Sequence, residues 1–110
     1  MVAIVEQKKT ALAVLCQKYR VRRLYLFGSA VLGHFDAGRS DLDFLVSFFD
    51  RQPTGEYADR YLGLAEGLEQ LFHRPVDLVT EESIRNPYFR REVESTRQLV
   101  YEQSGKETAV

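Results

Sequence analysis

Only one cysteine, Cys16, stands among the 110 residues, so no internal disulfide can form. Such sparse cysteine use fits a reducing, cytoplasmic setting. Long apolar runs are missing as well. The longest, Phe44 to Phe49, is interrupted by Ser47 and falls far short of the roughly 18 residues that span a bilayer. No basic, then apolar, then small-residue order opens the chain, so no signal peptide is expected. Neither sign of charge dominates: 15 Lys and Arg face 16 Asp and Glu, a net charge of −1. That balance argues against a domain holding nucleic acid by bulk electrostatics, since such domains are usually strongly basic. There is no Gly-Lys-Ser/Thr phosphate loop and no Gly-x-Gly-x-x-Gly turn. His34 and His73 lack a second ligand at zinc spacing. The length implies one domain over residues 1–110, with room for one modest core and none for a separate substrate domain.

What is present reads as a small α/β protein. Apolar residues at Val5, Leu12, Leu15, Cys16 and Tyr19 recur at helical spacing, which predicts a helix near Val2 to Tyr19 with Cys16 in the core. A basic stretch, Lys18 to Arg23, closes it and suits the negative end of a helix dipole. Leu24 to Phe27 reads as a buried strand ending at Gly28, and Asp41 to Phe49 as a second. Between them, Ser29 to Ser40 reads as a short helical turn and loop. Glu56 to His73 carries one apolar stripe and predicts a helix; Val76 to Val79 predicts a third strand. After Asn86-Pro87 a last helix is expected from about Tyr88 to Tyr101. The aromatics Tyr57, Tyr61, Phe72, Tyr88 and Phe89 are expected in the core. The sheet should hold three to four strands, mixed and packed by helices.

Asp41 and Asp43 carry the chemistry. Residues two apart on a strand project to the same side, so these carboxylates stand together while Leu42, Phe44 and Val46 face the other way. At about 4 Å their repulsion costs roughly 1 kcal/mol in water and about 4 kcal/mol at an effective dielectric of 20. A divalent cation that prefers oxygen ligands, Mg²⁺ first, cancels that cost. Asp77 lies in an apolar strand where an unpartnered carboxylate is expensive. It pairs with an arginine or joins Asp41 and Asp43. Three carboxylates can hold two divalent ions, the arrangement that supports in-line phosphoryl displacement. Gly28 lets backbone approach a phosphate closely, and Ser29 adds a hydroxyl where a short helix would begin.

Phe27-Gly28-Ser29, Gly33 and Ser40-Asp41-Leu42-Asp43-Phe44-Leu45-Val46 resemble the signature of the DNA polymerase β-like nucleotidyltransferase superfamily. The nearest match is its minimal, single-domain branch, often encoded beside a HEPN-domain protein as a toxin–antitoxin pair. Pro75-Val76-Asp77-Leu78-Val79 looks like the family's third-carboxylate strand, and Asn86-Pro87-Tyr88-Phe89 also looks like this branch. The resemblance implies the nucleotidyltransferase fold. It implies that Asp41 and Asp43 bind Mg²⁺, two ions in all, that Asp77 is a third catalytic carboxylate that helps bind metal or activates the acceptor hydroxyl, and that Gly28 and Ser29 bind the nucleotide. It implies transfer of a nucleoside monophosphate, AMP from ATP, to a tyrosine hydroxyl of a HEPN-domain toxin. The chain departs from the pattern at Leu32, where many members carry arginine, and in a spacing from Gly-Ser to Asp-x-Asp one residue longer than the commonest form. Arg39, or Arg22 and Arg23, are the cations that could replace the missing one. An alternative is a non-catalytic antitoxin of the same fold that neutralises its partner by occlusion. A third reading, a small-molecule nucleotidyltransferase, would need a further helical domain. The last helix, with Tyr88, Phe89, Arg90, Arg91 and Tyr101, is expected either to face a partner or to pack on its own sheet.

Overall fold

Alternation along Leu42–Phe48 sorts the molecule into two faces. Leu42, Phe44, Val46 and Phe48 are buried in one apolar cluster, whereas Leu45 belongs to a second cluster on the opposite side. The computed structural model describes residues 3–28, 31, 41–50, 52 and 54–103. Within them the order is α1 (Ala3–Glu6), α2 (Lys9–Lys18), β1 (Val21–Phe27), β2 (Leu42–Phe48), α3 (Gly55–Phe72), β3 (Val76–Thr80), a 3₁₀ turn (Glu81–Ser83), α4 (Pro87–Thr96) and β4 (Gln98–Glu102). The strands form one sheet in the order β3-β2-β1-β4. β1 runs antiparallel to β2 and β4, and β2 and β3 are parallel. The parallel pair is joined through α3, as a crossover requires. The mixed four-stranded sheet packed by helices is the expected fold.

The larger cluster joins Leu12 and Cys16 of α2, Leu64, Leu68 and Phe72 of α3, and the inner residues of all four strands. Burial pushes the Cys16 thiol up to about 12, so it is a core residue and not a nucleophile. Helices α2 and α3 cross closely, because a Cβ at Gly63 would lie 2.4 Å from the Tyr19 ring. Phe44 is fully buried and stacks on Phe72 with ring centroids 5.9 Å apart. Phe44→Ala is expected to cost about 3–5 kcal/mol, read as a lower denaturant midpoint.

Sequence expectations change at several points. Strand β1 begins at Val21, so Arg22 and Arg23 are strand residues and not the end of a helix. The first helix is broken at Gln7–Lys8, giving α1 and α2. The last helix stops at Thr96, and Gln98–Glu102 form β4 against β1, with Leu24 opposite Tyr101. Val93 and Val100 are seven apart and fit either reading. Pairing with the open edge of β1 decides for the strand, because it satisfies backbone groups that would otherwise be exposed. α4 has a clear start: the Asn86 side chain accepts from Tyr88 and Phe89 N–H, and Pro87 occupies the first turn. Among the predicted core aromatics, Phe72 is buried and Tyr57 and Tyr61 pack on the core. Tyr88 is not in the core: 77% of it is exposed.

The outer edge of β3 is covered by side chains. Val76 N–H donates to Glu69 Oε2 at 3.2 Å, Tyr61 Oη donates to the Leu78 carbonyl, and Ser83 Oγ donates to the Thr80 carbonyl at 2.9 Å. Groups so occupied cannot pair with an added strand. No described helix is long and apolar enough to cross a membrane.

Candidate active site

Three strand ends build the site. β1 ends at Phe27, which lies opposite Asp43 near the start of β2. Asp43 in turn lies opposite Asp77 near the start of β3. Because β2 and β3 are parallel and in this register, both carboxylates emerge at one end of the sheet and on one face. It is the face of Leu45, Val79 and α4, opposite the main core. Asp41 directly precedes β2 and is exposed; Asp77 is exposed and Asp43 is half-buried.

The Gly28 bend sits directly on Asp43. Gly28 has φ +78°, and a Cβ there would lie 2.6 Å from Asp43 Oδ2. Glycine is therefore required twice, for the left-handed backbone and for the close approach. The Gly28 carbonyl accepts from Val31 N–H at 3.1 Å. Gly28 N–H donates to Thr96 Oγ1 at 3.4 Å and so ties the bend to the end of α4. Ser29, Arg39 and residues 32–40 lie outside the described residues.

Desolvation raises the Asp43 carboxyl to about 6, with the nearby charges of Asp77 and Asp41 adding to it. Both neighbouring charges act in the same direction on this half-buried carboxylate. Among the described residues, no three acidic, His or Cys side chains converge closely enough to cage a metal ion. Electrostatic coupling reaches further than coordination, so both observations hold. The donor chemistry fits a hard divalent cation: the groups are all carboxylates, and their mutual repulsion is what such an ion offsets.

Two cations proposed from sequence are elsewhere. Arg22 and Arg23 lie at the opposite end of β1 from Gly28, and Arg23 Nε is bonded to Glu102 Oε2 at 2.9 Å. The strand runs away from them toward the bend, so neither stands in for the arginine absent at Leu32. What sequence reading did not foresee is Thr96. A threonine late in a predicted helix carries no signal, and its contact with Gly28 depends on how α4 lies across the sheet. Phe89 packs edge-on against Phe27 at 6.0 Å, and Arg97 covers the Tyr25 ring at 4.5 Å. These contacts seat α4 against β1.

A glycine bend resting on a strand carboxylate, beside a second carboxylate in register, is an architecture suited to phosphoryl chemistry. The nucleotidyltransferase domain model matches residues 8–100. A candidate protein adenylyltransferase of Methanocaldococcus jannaschii is 38% identical over 88 residues, covering 80% of this chain and 83% of the relative. A second from the same organism is 33% identical over the same shares. The chain belongs to the nucleotidyltransferase domain family and is a nucleotidyltransferase. Solved structures share its fold. A chain of a toxin–antitoxin crystal structure with AMP-PNP superposes with TM-score 0.66 at 21% identity, covering 92% of this chain and 78% of its own. A chain of the complex of tri-AMPylated Shewanella oneidensis HEPN toxin with MNT antitoxin gives 0.62 at 19%, covering 96% and 78%.

Proposed function

We propose that this nucleotidyltransferase transfers AMP from ATP, with Mg²⁺, to a tyrosine hydroxyl of a HEPN-domain toxin and thereby acts as its antitoxin. The single observation that carries the reading is the Gly28 bend seated on Asp43 with Asp77 in register beside it. The names of the M. jannaschii relatives support protein as the acceptor, and the toxin–antitoxin complexes of the same fold support the partner.

In this reading the turn at Gly28 and Ser29 receives the phosphates, with backbone where a side chain would collide. Asp41 and Asp43 would hold Mg²⁺, which would supply positive charge against the phosphate oxygens and the carboxylates. Asp77, exposed at the rim, takes the proton from the acceptor hydroxyl. The hydroxyl oxygen bonds to the α-phosphorus, the bond to pyrophosphate breaks, and pyrophosphate leaves. The family arginine is replaced by Leu32, which favours a second reading, neutralisation by occlusion without transfer.

Incubation with ATP labelled at the α-phosphate, Mg²⁺ and a cognate HEPN-domain protein separates the two. The expected result is label on the partner, on tyrosine, lost with Asp41→Asn and with Asp77→Asn. Full neutralisation by both variants without any label would establish occlusion instead.

A further inference from the structure

The start of α4 presents a surface that folding of this chain leaves uncovered. Every residue from Arg85 to Arg91 is exposed. Tyr88 is 77% exposed, and Phe89, although it touches Phe27, is 36% exposed. The same seven positions hold Arg85, Arg90 and Arg91 and no carboxylate, in a chain whose net charge is −1. Arg90 is engaged with the Ile84 carbonyl. Arg85 and Arg91 make no hydrogen bond or ion pair among the described residues. Tyr88 and Arg91 are three apart on the helix and so share one flank. Exposed tyrosine beside arginine is the composition that dominates binding energy at protein interfaces.

The patch adjoins the site. Phe89 rests on Phe27, whose strand partner is Asp43, and at the other end of the helix Thr96 holds the Gly28 bend. We infer that Arg85, Tyr88, Phe89 and Arg91 form the docking surface for the acceptor protein, and that the acceptor meets it with an acidic patch surrounding an apolar recess. Charge complementarity sets the partner's chemistry: two guanidinium groups with no partner among the described residues call for carboxylates, and the exposed Tyr88 ring calls for an apolar seat. A partner held here lies on the sheet face that carries Asp43 and Asp77. The inference rests on the protein-acceptor reading above and adds where the acceptor is held.

The test measures binding of the whole chain to a cognate HEPN-domain protein, and separately to Mg²⁺–ATP. Arg85→Glu with Arg91→Glu, and Tyr88→Ala alone, are each expected to weaken partner binding by at least about tenfold. The charge reversal should also flatten the salt dependence of association. Mg²⁺–ATP affinity and the melting temperature should be unchanged. Partner binding equal to that of the native chain overturns the surface and leaves the adenylylation reading standing. A parallel loss of Mg²⁺–ATP affinity overturns it too, and makes the patch part of the nucleotide site. A native chain that fails to bind the HEPN protein overturns the acceptor reading itself.

Discussion

Asp43→Asn is expected to abolish nucleotidyl transfer and, in the same molecule, to stabilise the ion-free fold at neutral pH. The two effects have one cause. Asp43 is half-buried, and desolvation plus the charges of Asp77 and Asp41 raise its carboxyl to about 6 from an ordinary 3.8. A carboxyl raised on folding holds its proton more tightly in the native state. Below about pH 4 both states are protonated and folding feels no penalty. As pH rises from there to about 6, the unfolded chain ionises first, so native stability falls; above 6 the full penalty is present. With solvent screening allowed for, it is on the order of 1 kcal/mol. Asparagine keeps the shape without the charge. The variant should therefore melt about 5 °C higher than the native chain at pH 7.5 and level with it at pH 4. Transfer should fall about a thousandfold or more, since several kcal/mol of charge stabilisation is lost. Millimolar Mg²⁺ should raise the native melting temperature at pH 7.5 and leave that of the variant where it was. A variant less stable than the native chain at pH 7.5 would remove the charge-crowding argument.

Gly28→Ala is expected to damage the same site from the other side, with the opposite sign on stability. Its Cβ would lie 2.6 Å from Asp43 Oδ2, and φ there is +78°. The left-handed backbone costs roughly 1–2 kcal/mol for a residue with a Cβ, and the collision displaces the carboxylate as well. Transfer should fall about a hundredfold, since misplacement of about 1 Å is enough for that, while the melting temperature drops. The collision and the backbone strain separate in a double-mutant cycle. In an Asp43→Ala background the collision is gone, so Gly28→Ala should cost only the backbone share. Equal costs in both backgrounds would show that the bend and the carboxylate do not touch in solution.

Much of the site was legible along the chain. An apolar run ending in Gly28, and Asp41 and Asp43 two apart on the next strand, are local patterns, and period-two alternation is enough to put Leu42 and Phe44 on the face opposite Asp43. Other features depend on partners far away in sequence. Val93 and Val100 suit a helix as well as a helix followed by a strand, and only the free edge of β1 turned residues 98–102 into β4. Tyr88 sits at helical spacing yet remains exposed, because α4 touches the sheet through Phe89, Val93 and Thr96.

The residue types and their spacing determined by themselves that the chain is α/β, that Asp41 and Asp43 stand two apart where a strand begins, and that a glycine bend precedes them. Local sterics and strand periodicity suffice for that. Tertiary structure alone decided that Asp77 lies opposite Asp43, that Thr96 holds the bend, and that Arg23 points away from the site to Glu102. Register between strands separated by a helix is set by how the buried faces of α3, β2 and β3 pack together, and a linear pattern carries no record of that distance.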